Sequence, residues 1–191
     1  IYSTGMDKST LVDIIPPSAM RTIYDVASHL GDDGHMSFTG AHMTLTMIMC
    51  LVDFLRVHPE VTSLKFGGRT IETAVMVALA KALGDNQTIK TLIITLTGID
   101  QEGMDALAGM LRVNKTITEL SLGYNQIDDE GAAAIADAMA SNKTLTTLRL
   151  KSVAIRSPRQ LLKAICDNKT LRTLDLAANR FSEDGVAALA E

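Results

Sequence analysis

The 191-residue sequence predicts an α/β solenoid, with about six stacked units that line an inner parallel sheet with an outer row of helices. Two observations lead there. Asn86, Asn114 and Asn142 follow one another at 28-residue intervals, Asn168 comes 26 residues later, and each opens the same phrase, Asn-x-Thr-(Ile/Leu)-x-x-Leu-x-(Leu/Ile). Within each unit the hydrophobic period also changes, from alternation over a few residues to helical spacing over the next stretch. A short strand has no partner inside its own unit. Its backbone must therefore pair with the next unit's strand, and a helix between successive strands makes that pairing parallel.

Taken in order, residues 1–30 read as an N-terminal cap segment and 31–191 as the repeats, the last of them truncated. Pro16 and Pro17 separate an extended TLVDII stretch from a helix expected over 18–30, with Gly31 just past its end. In the first unit Met36 and Phe38 hold the strand phase. The helix expected over 44–57 is apolar nearly all round, with Met47, Ile48, Met49, Leu51, Val52, Phe54 and Leu55, so the cap, another domain or a partner must cover it. HPEVTSLKF at 58–66 keeps the apolar positions as Val61, Leu64 and Phe66, and Leu79 and Leu83 mark the following helix. NQTIKTLII, NKTITELSL, NKTLTTLRL and NKTLRTLDL open the remaining units. Helical pairs follow at Leu107 and Leu111 and at Ile135 and Met139, with Gly103, Gly131 and Gly185 near the helix starts. Small residues such as Ala132, Ala133, Ala134, Ala136 and Ala138 let neighbouring helices stack closely. The unit beginning at Asn142 is two residues short, and the loss falls between Ile155 and Leu161. There RSPRQL replaces an acidic, glycine-containing loop; Ser157 is placed to cap the helix and Pro158 to take its first position. The sequence stops inside a helical pattern at VAALAE, which suggests that the chain is part of a longer one.

Composition narrows the function. With 47% hydrophobic and 21% charged residues the chain is globular, and 4% aromatic residues without any Trp make the core aliphatic. A net charge of −4 argues against general binding to nucleic acid or anionic membranes. No apolar run reaches the roughly 18 residues of a membrane helix; the best, 44–57, is broken by Asp53 and Arg56. Cys50 and Cys166, far apart and in expected helices, read as reduced core residues of a cytoplasmic protein.

The stretch TELSLGYNQIDDEGAAAIADAM at 118–139 resembles a leucine-rich repeat of the ribonuclease-inhibitor-like subtype, whose units of 28 or 29 residues each carry a helix. The resemblance covers roughly 31–191 and implies a horseshoe arc, usually intracellular, that binds other proteins. One departure is visible. The Asn that follows the strand in the family pattern stands at Asn125 and Asn179, but the equivalent positions are Arg69, Thr97 and Val153. Ran GTPase-activating proteins and nucleotide-binding, leucine-rich receptors share such repeats, and MLRVNKTITELSL resembles the repeats that end the actin-capping tropomodulins.

Four Asn-x-Thr sequons could be read as glycan acceptors of a secreted chain. Their fixed phase favours a structural role instead: Asn tolerates the left-handed conformation that ends helices, and Thr favours the strand that follows. Catalytic apparatus is not visible, since Walker, GxSxG and HExxH motifs are missing. His29, His35, His42 and His58 lack a metal-ligand spacing, and neither cysteine has an activating neighbour. The acids at 128–130 and 183–184 read as complements to a helix dipole. Neither a catalytic residue, a metal nor a cofactor is expected.

What remains is a binding surface. The outward positions between the buried leucines fall at Lys65, Ile93, Ser121, Arg149 and Asp175, then at Gly67, Thr95, Gly123, Lys151 and Ala177, then at Gly68, Leu96, Tyr124, Ser152 and Ala178. Adjacent strands lie about 4.8 Å apart, so Ile93, Leu96 and Tyr124 are expected to form an apolar patch flanked by Arg149 and Lys151, with Glu119 near its edge. An aromatic anchor beside aliphatics and Arg is the composition of an interface hot spot. Arg156 and Arg159, on the deviant loop, form a second candidate contact. The reading is a non-catalytic scaffold for another protein, with a small-GTPase regulator and an actin-filament-capping module as alternatives.

Overall fold

The computed structural model describes residues 29–31 and 33–190; the extended stretch and nearly all of the helix expected within residues 1–30 lie outside the described residues. Where that helix was expected to end, His29 sits in a turn and Leu30 forms an antiparallel bridge with Met36. The His29 ring stacks on Phe38 with centroids 4.5 Å apart. Ser37 N–H donates to the His29 carbonyl, a strand-like pairing next to that bridge.

Strands and helices then alternate: β1 (His35–Thr39), α1 (Leu45–Val57), β2 (Ser63–Gly67), α2 (Thr73–Gly84), β3 (Thr91–Thr95), α3 (Gln101–Val113), β4 (Glu119–Ser121), α4 (Asp129–Ser141), β5 (Thr147–Arg149), α5 (Arg159–Asp167), β6 (Thr173–Asp175) and α6 (Glu183–Ala190). The six strands form one sheet in chain order, every neighbouring pair parallel. The register preserves the sequence period, so that Leu64, Leu92, Leu120, Leu148 and Leu174 align. The first four are fully buried, together with Val61, Ile89, Ile117 and Leu145 from the turns before them. Each such side chain contributes about 1.5–3 kcal/mol by leaving water. The helices close this core with Met76, Leu79, Leu83, Met104, Leu107, Leu111, Ile135 and Met139. In α1 the buried side chains are Ile48, Leu51 and Leu55, while Met47 is only partly buried.

Side chains cap four of the six described helix N-termini, those of α1, α3, α4 and α6; Glu72 before α2 makes no such bond. Thr44, Asp100 and Asp128 accept from Met47, Gly103 and Glu130/Gly131 N–H, and Ser182 Oγ accepts from Gly185. The Thr73 hydroxyl, and after it the Gly103 N–H, hold the Asp100 carboxyl below the usual carboxylate range. A lowered folded pKa stabilises above the unfolded value, and that contribution fades as pH falls through the folded one. The α5 start departs from expectation: Ser157 makes no cap, Pro158 itself occupies the N-cap without a side-chain bond, and Arg159 is the first helical residue. The Ser157 N–H is instead held, with that of Arg156, by Asp129 Oδ1 at 2.9 and 2.8 Å.

The recurrent Asn residues have a different conformation from the one their residue type suggests. Asn114, Asn142 and Asn168 are C-caps in extended backbone, with φ of −63°, −70° and −82°, not in the left-handed region. Their side chains are buried and explain the repetition. Asn142 Oδ1 accepts from the N–H groups of Thr144 and Leu145 in its own turn, while Nδ2 donates 2.7 Å to the Leu111 carbonyl of the preceding unit. Asn114 repeats this onto the Leu83 and Asn86 carbonyls, and Asn168 onto those of Met139 and Asn142. One amide thus closes its own turn and bolts two units together, using donors and acceptors that burial would otherwise orphan. A buried amide engaged in this way is not a glycan acceptor. Asn86, where the row starts, is half-buried, and its side chain bonds to Thr88 and Ile89 of its own turn.

A second row of amides completes the turns after the strands. Asn125 Oδ1 accepts from the buried Thr97 N–H and hydroxyl, and its Nδ2 donates to the Ile94 and Leu122 carbonyls. Asn179 does the same for Val153 N–H and the Leu150 and Leu176 carbonyls. Turns that carry Thr97 or Val153 in place of Asn are therefore served by the Asn of the next unit. The turn with Arg69 closes through backbone bonds, Gly68 N–H to Thr95 O and Ile71 N–H to Thr97 O.

Replacing Asn142 by Ala leaves the Leu111 carbonyl and two turn N–H groups without partners. At about 1–3 kcal/mol for a buried orphaned group, urea denaturation of Asn142→Ala is expected to show a loss of at least about 2 kcal/mol. A loss below half of that would mean that water replaces the amide and that the bolt is not what joins the units.

Candidate functional site

Helices cover one face of the sheet, and the other face presents the row Ser37, Lys65, Ile93, Ser121, Arg149 and Asp175, which the register aligns. The small residues beside this row have a steric cause. A Cβ on Gly67 would meet the Thr95 carbonyl at 3.0 Å, and one on Gly123 the Lys151 carbonyl at 3.0 Å. Glycine at these two positions avoids those contacts.

Those side chains are not independent. The Arg149 guanidinium is ion-paired with Glu119 of the neighbouring strand, both partly exposed. Lys151 Nζ lies 5.9 Å from the centroid of the Tyr124 ring, within cation–π range. Asp175 Oδ1 accepts from the N–H of Ala177 at 2.9 Å. Ile93 is half-buried between Lys65 and Ser121, while Leu96 and Tyr124 are 59% and 48% exposed.

Leu96 and Tyr124 share a property that no sequence period announces. Both have left-handed backbone, φ 56° and 60°, as do Ser152 and Ala178 at the same phase of later units; Gly40 and Gly68 hold that phase in the first two. The turn that leaves each strand demands this conformation, which costs a non-glycine residue about 1–2 kcal/mol. The one hint in the sequence is glycine at the same phase of the first two units, Gly40 and Gly68, 28 residues apart. At Leu96 a strained backbone carries a large, exposed apolar side chain.

Arg156 and Arg159 lie outside the strand rows, on the loop and helix that leave β5. Both side chains are exposed, but the loop backbone is clamped. Its N–H groups bind Asp129, and the Arg156 carbonyl accepts from Ser182 N–H at 2.9 Å. A Cβ on Gly185 would come within 2.2 Å of that same carbonyl. The deviant RSPRQL sequence thus fits a close approach between three consecutive units.

The remaining reactive groups do not converge. Cys166 is exposed rather than in the core, because the half-buried face of α5 is carried by Ala164 and Ile165; Cys50 packs partly against the core. Burial, and then the nearby Asp53, push the Cys50 thiol up, away from a reactive thiolate. Among the described residues no group of three or more His, Cys, Asp or Glu side chains could hold a metal ion. Nor is any helix among them long and apolar enough to cross a membrane. On the helical side an open groove of about 650 Å³ runs between α1 and α2, lined by Met49, Val52, Asp53, Ala78 and Lys81 among others. Met49 itself is 70% exposed.

A single parallel sheet in chain order, one helix per strand, and buried amides that repeat with the unit define a leucine-rich-repeat solenoid. The family model for the leucine-rich repeat matches residues 85–108, 113–136 and 167–190, in keeping with that fold. Among solved structures, actin-binding site 2 of leiomodin-1 superposes with a TM-score of 0.59 at 23% identity, covering 92% of this chain and 87% of that one. The tropomodulin C-terminal domain of Caenorhabditis elegans gives 0.55 at 11% identity, covering 90% and 89%. At these identities the likeness speaks for the fold. No curated protein matches the sequence significantly.

If Leu96 is held in strained backbone for no packing reason, glycine should be accepted there. Thermal unfolding of Leu96→Gly is expected to show unchanged stability or a gain of up to about 1 kcal/mol, whereas Leu92→Ala in the core should lose about 2–5 kcal/mol. A Leu96→Gly loss above about 1 kcal/mol would identify Leu96 as a packing residue.

Proposed function

We propose that the chain is a non-catalytic scaffold that binds another protein through the open face of its sheet. The observation that carries this reading is Leu96 beside Tyr124: apolar surface displayed on backbone whose strain folding alone would remove by substitution of glycine. Lys65, Ile93, Leu96, Glu119, Tyr124, Arg149, Lys151 and Asp175 form the contact surface, with Arg156 and Arg159 as a separate contact on the loop. A sheet braced by two rows of hydrogen-bonded amides presents this surface preformed, so little ordering entropy opposes binding. Residues 1–30 serve as the cap of the first unit and 31–191 as the repeats. The 28-residue spacing and the helix in every unit favour the ribonuclease-inhibitor-like subtype. Two unpaired cysteines and buried sequon amides favour a cytoplasmic setting, without nucleic acid, membrane or cofactor as partner.

Actin binding is a second reading, and the likeness to a leiomodin-1 actin-binding site supports it. Regulation of a small GTPase rests on repeat analogy, and no residue on the face adds to it.

Affinity capture followed by mass spectrometry, repeated with Leu96→Glu combined with Tyr124→Ser, tests the scaffold. Specific protein partners should be recovered by the parent chain and lost from the folded variant; unchanged recovery would dispose of this site. Actin is tested in the same series by pointed-end elongation, which the parent chain should slow and the variant should not, if actin is the partner.

A further inference from the structure

The open face differs in charge from the molecule that carries it. Three basic residues, Lys65, Arg149 and Lys151, stand on the strand rows against two acidic ones, Glu119 and Asp175, a net +1 on a chain of net −4. Both acids are already engaged within the face. Glu119 is paired with Arg149, and Asp175 accepts from the Ala177 N–H. Lys65 makes no ion pair among the described residues, and Lys151 stands over the Tyr124 ring. The charges left for a partner are therefore the two lysine ammoniums, placed on either side of Leu96 and Tyr124 in strand order: Lys65 on β2, Leu96 and Tyr124 after β3 and β4, Lys151 after β5. The acids of the helical layer, such as Glu102, Asp105, Glu130 and Asp137, lie on α3 and α4. They repel an acidic partner from that side and steer it to the sheet.

Resting on the scaffold reading, we propose that the partner presents an acidic polypeptide segment with an apolar side chain, seated on Leu96 and Tyr124 between carboxylates that meet Lys65 and Lys151. A nucleic acid would also bring negative charge. It fits the face less well: tight phosphate binding draws on many cations at once, and here one of three is neutralised by Glu119 and the whole chain is acidic.

The test is selection of random displayed peptides on the folded chain, followed by fluorescence anisotropy of the enriched peptides. The expected sequences carry Asp or Glu on both sides of a Leu, Phe or Trp. Their binding should weaken about tenfold or more in Lys65→Glu with Lys151→Glu, weaken in Leu96→Gly, and fall as salt rises from about 50 to about 300 mM. Circular dichroism confirms that each variant is folded. Neutral or basic peptides that Leu96→Gly still weakens would overturn the acidic partner and leave the scaffold surface standing. Peptides indifferent to all three substitutions would overturn both. No enrichment, or a single-stranded oligonucleotide that displaces the peptides and binds more tightly, would overturn the partner class, with the capture experiment deciding the scaffold separately.

Discussion

Each of the six strands β1 to β6 depends on a neighbour outside its own unit. A strand of three to five residues, followed at once by a helix, has no hairpin partner, so its N–H and C=O groups are satisfied only when the next unit arrives in register. The buried amides follow from the same constraint. Where a helix ends beneath the sheet, carbonyls such as Leu83, Leu111 and Met139 face no water, and the Asn of the next unit supplies their donor. Stability in such an array is a sum of unit and interface terms, and here each interface includes directional bonds as well as leucine burial.

That bracing also makes the face usable. The turns after the strands are held by Asn125, Asn179 and backbone bonds, so the left-handed residue in each turn cannot relax. Whatever side chain stands there is displayed outward on a rigid support. Leu96 and Tyr124 occupy two consecutive positions of that row, Lys151 stands over the Tyr124 ring, and Arg149 is paired with Glu119 on the neighbouring strands. The deviant loop at Arg156 is likewise a product of close packing, since Asp129, Ser182 and Gly185 all converge on its backbone.

Much of the fold was legible because the periods are physical. Alternation placed Leu120 and Leu148 in the core, helical spacing did so for Leu107 and Ile135, and equal spacing set the register that aligns Lys65 with Ile93 and Ser121 with Arg149. The misses lie where a residue's conformation depends on a neighbour in space. Asn was expected in left-handed backbone from its general tolerance, but its extended φ is imposed by an amide that must reach the preceding unit. Ser157 was expected to cap, yet Asp129 from another unit claims its N–H. Cys166 was expected in the core, but α5 turns it outward. The rows of the candidate face were readable from phase. The pairing of Glu119 with Arg149, and the left-handed backbone at Leu96 and Tyr124, were not.

By itself, then, the sequence determined the unit: its length, its strand and helix, and which side chains are apolar on both. These depend on local period and on the hydrophobic effect, which needs no particular partner. The tertiary structure alone decided what the polar residues do. Hydrogen bonds and ion pairs are directional and short-ranged, so the role of Asn142, Asp129 or Arg149 exists only once residues about one repeat apart have been brought within about 3 Å of one another.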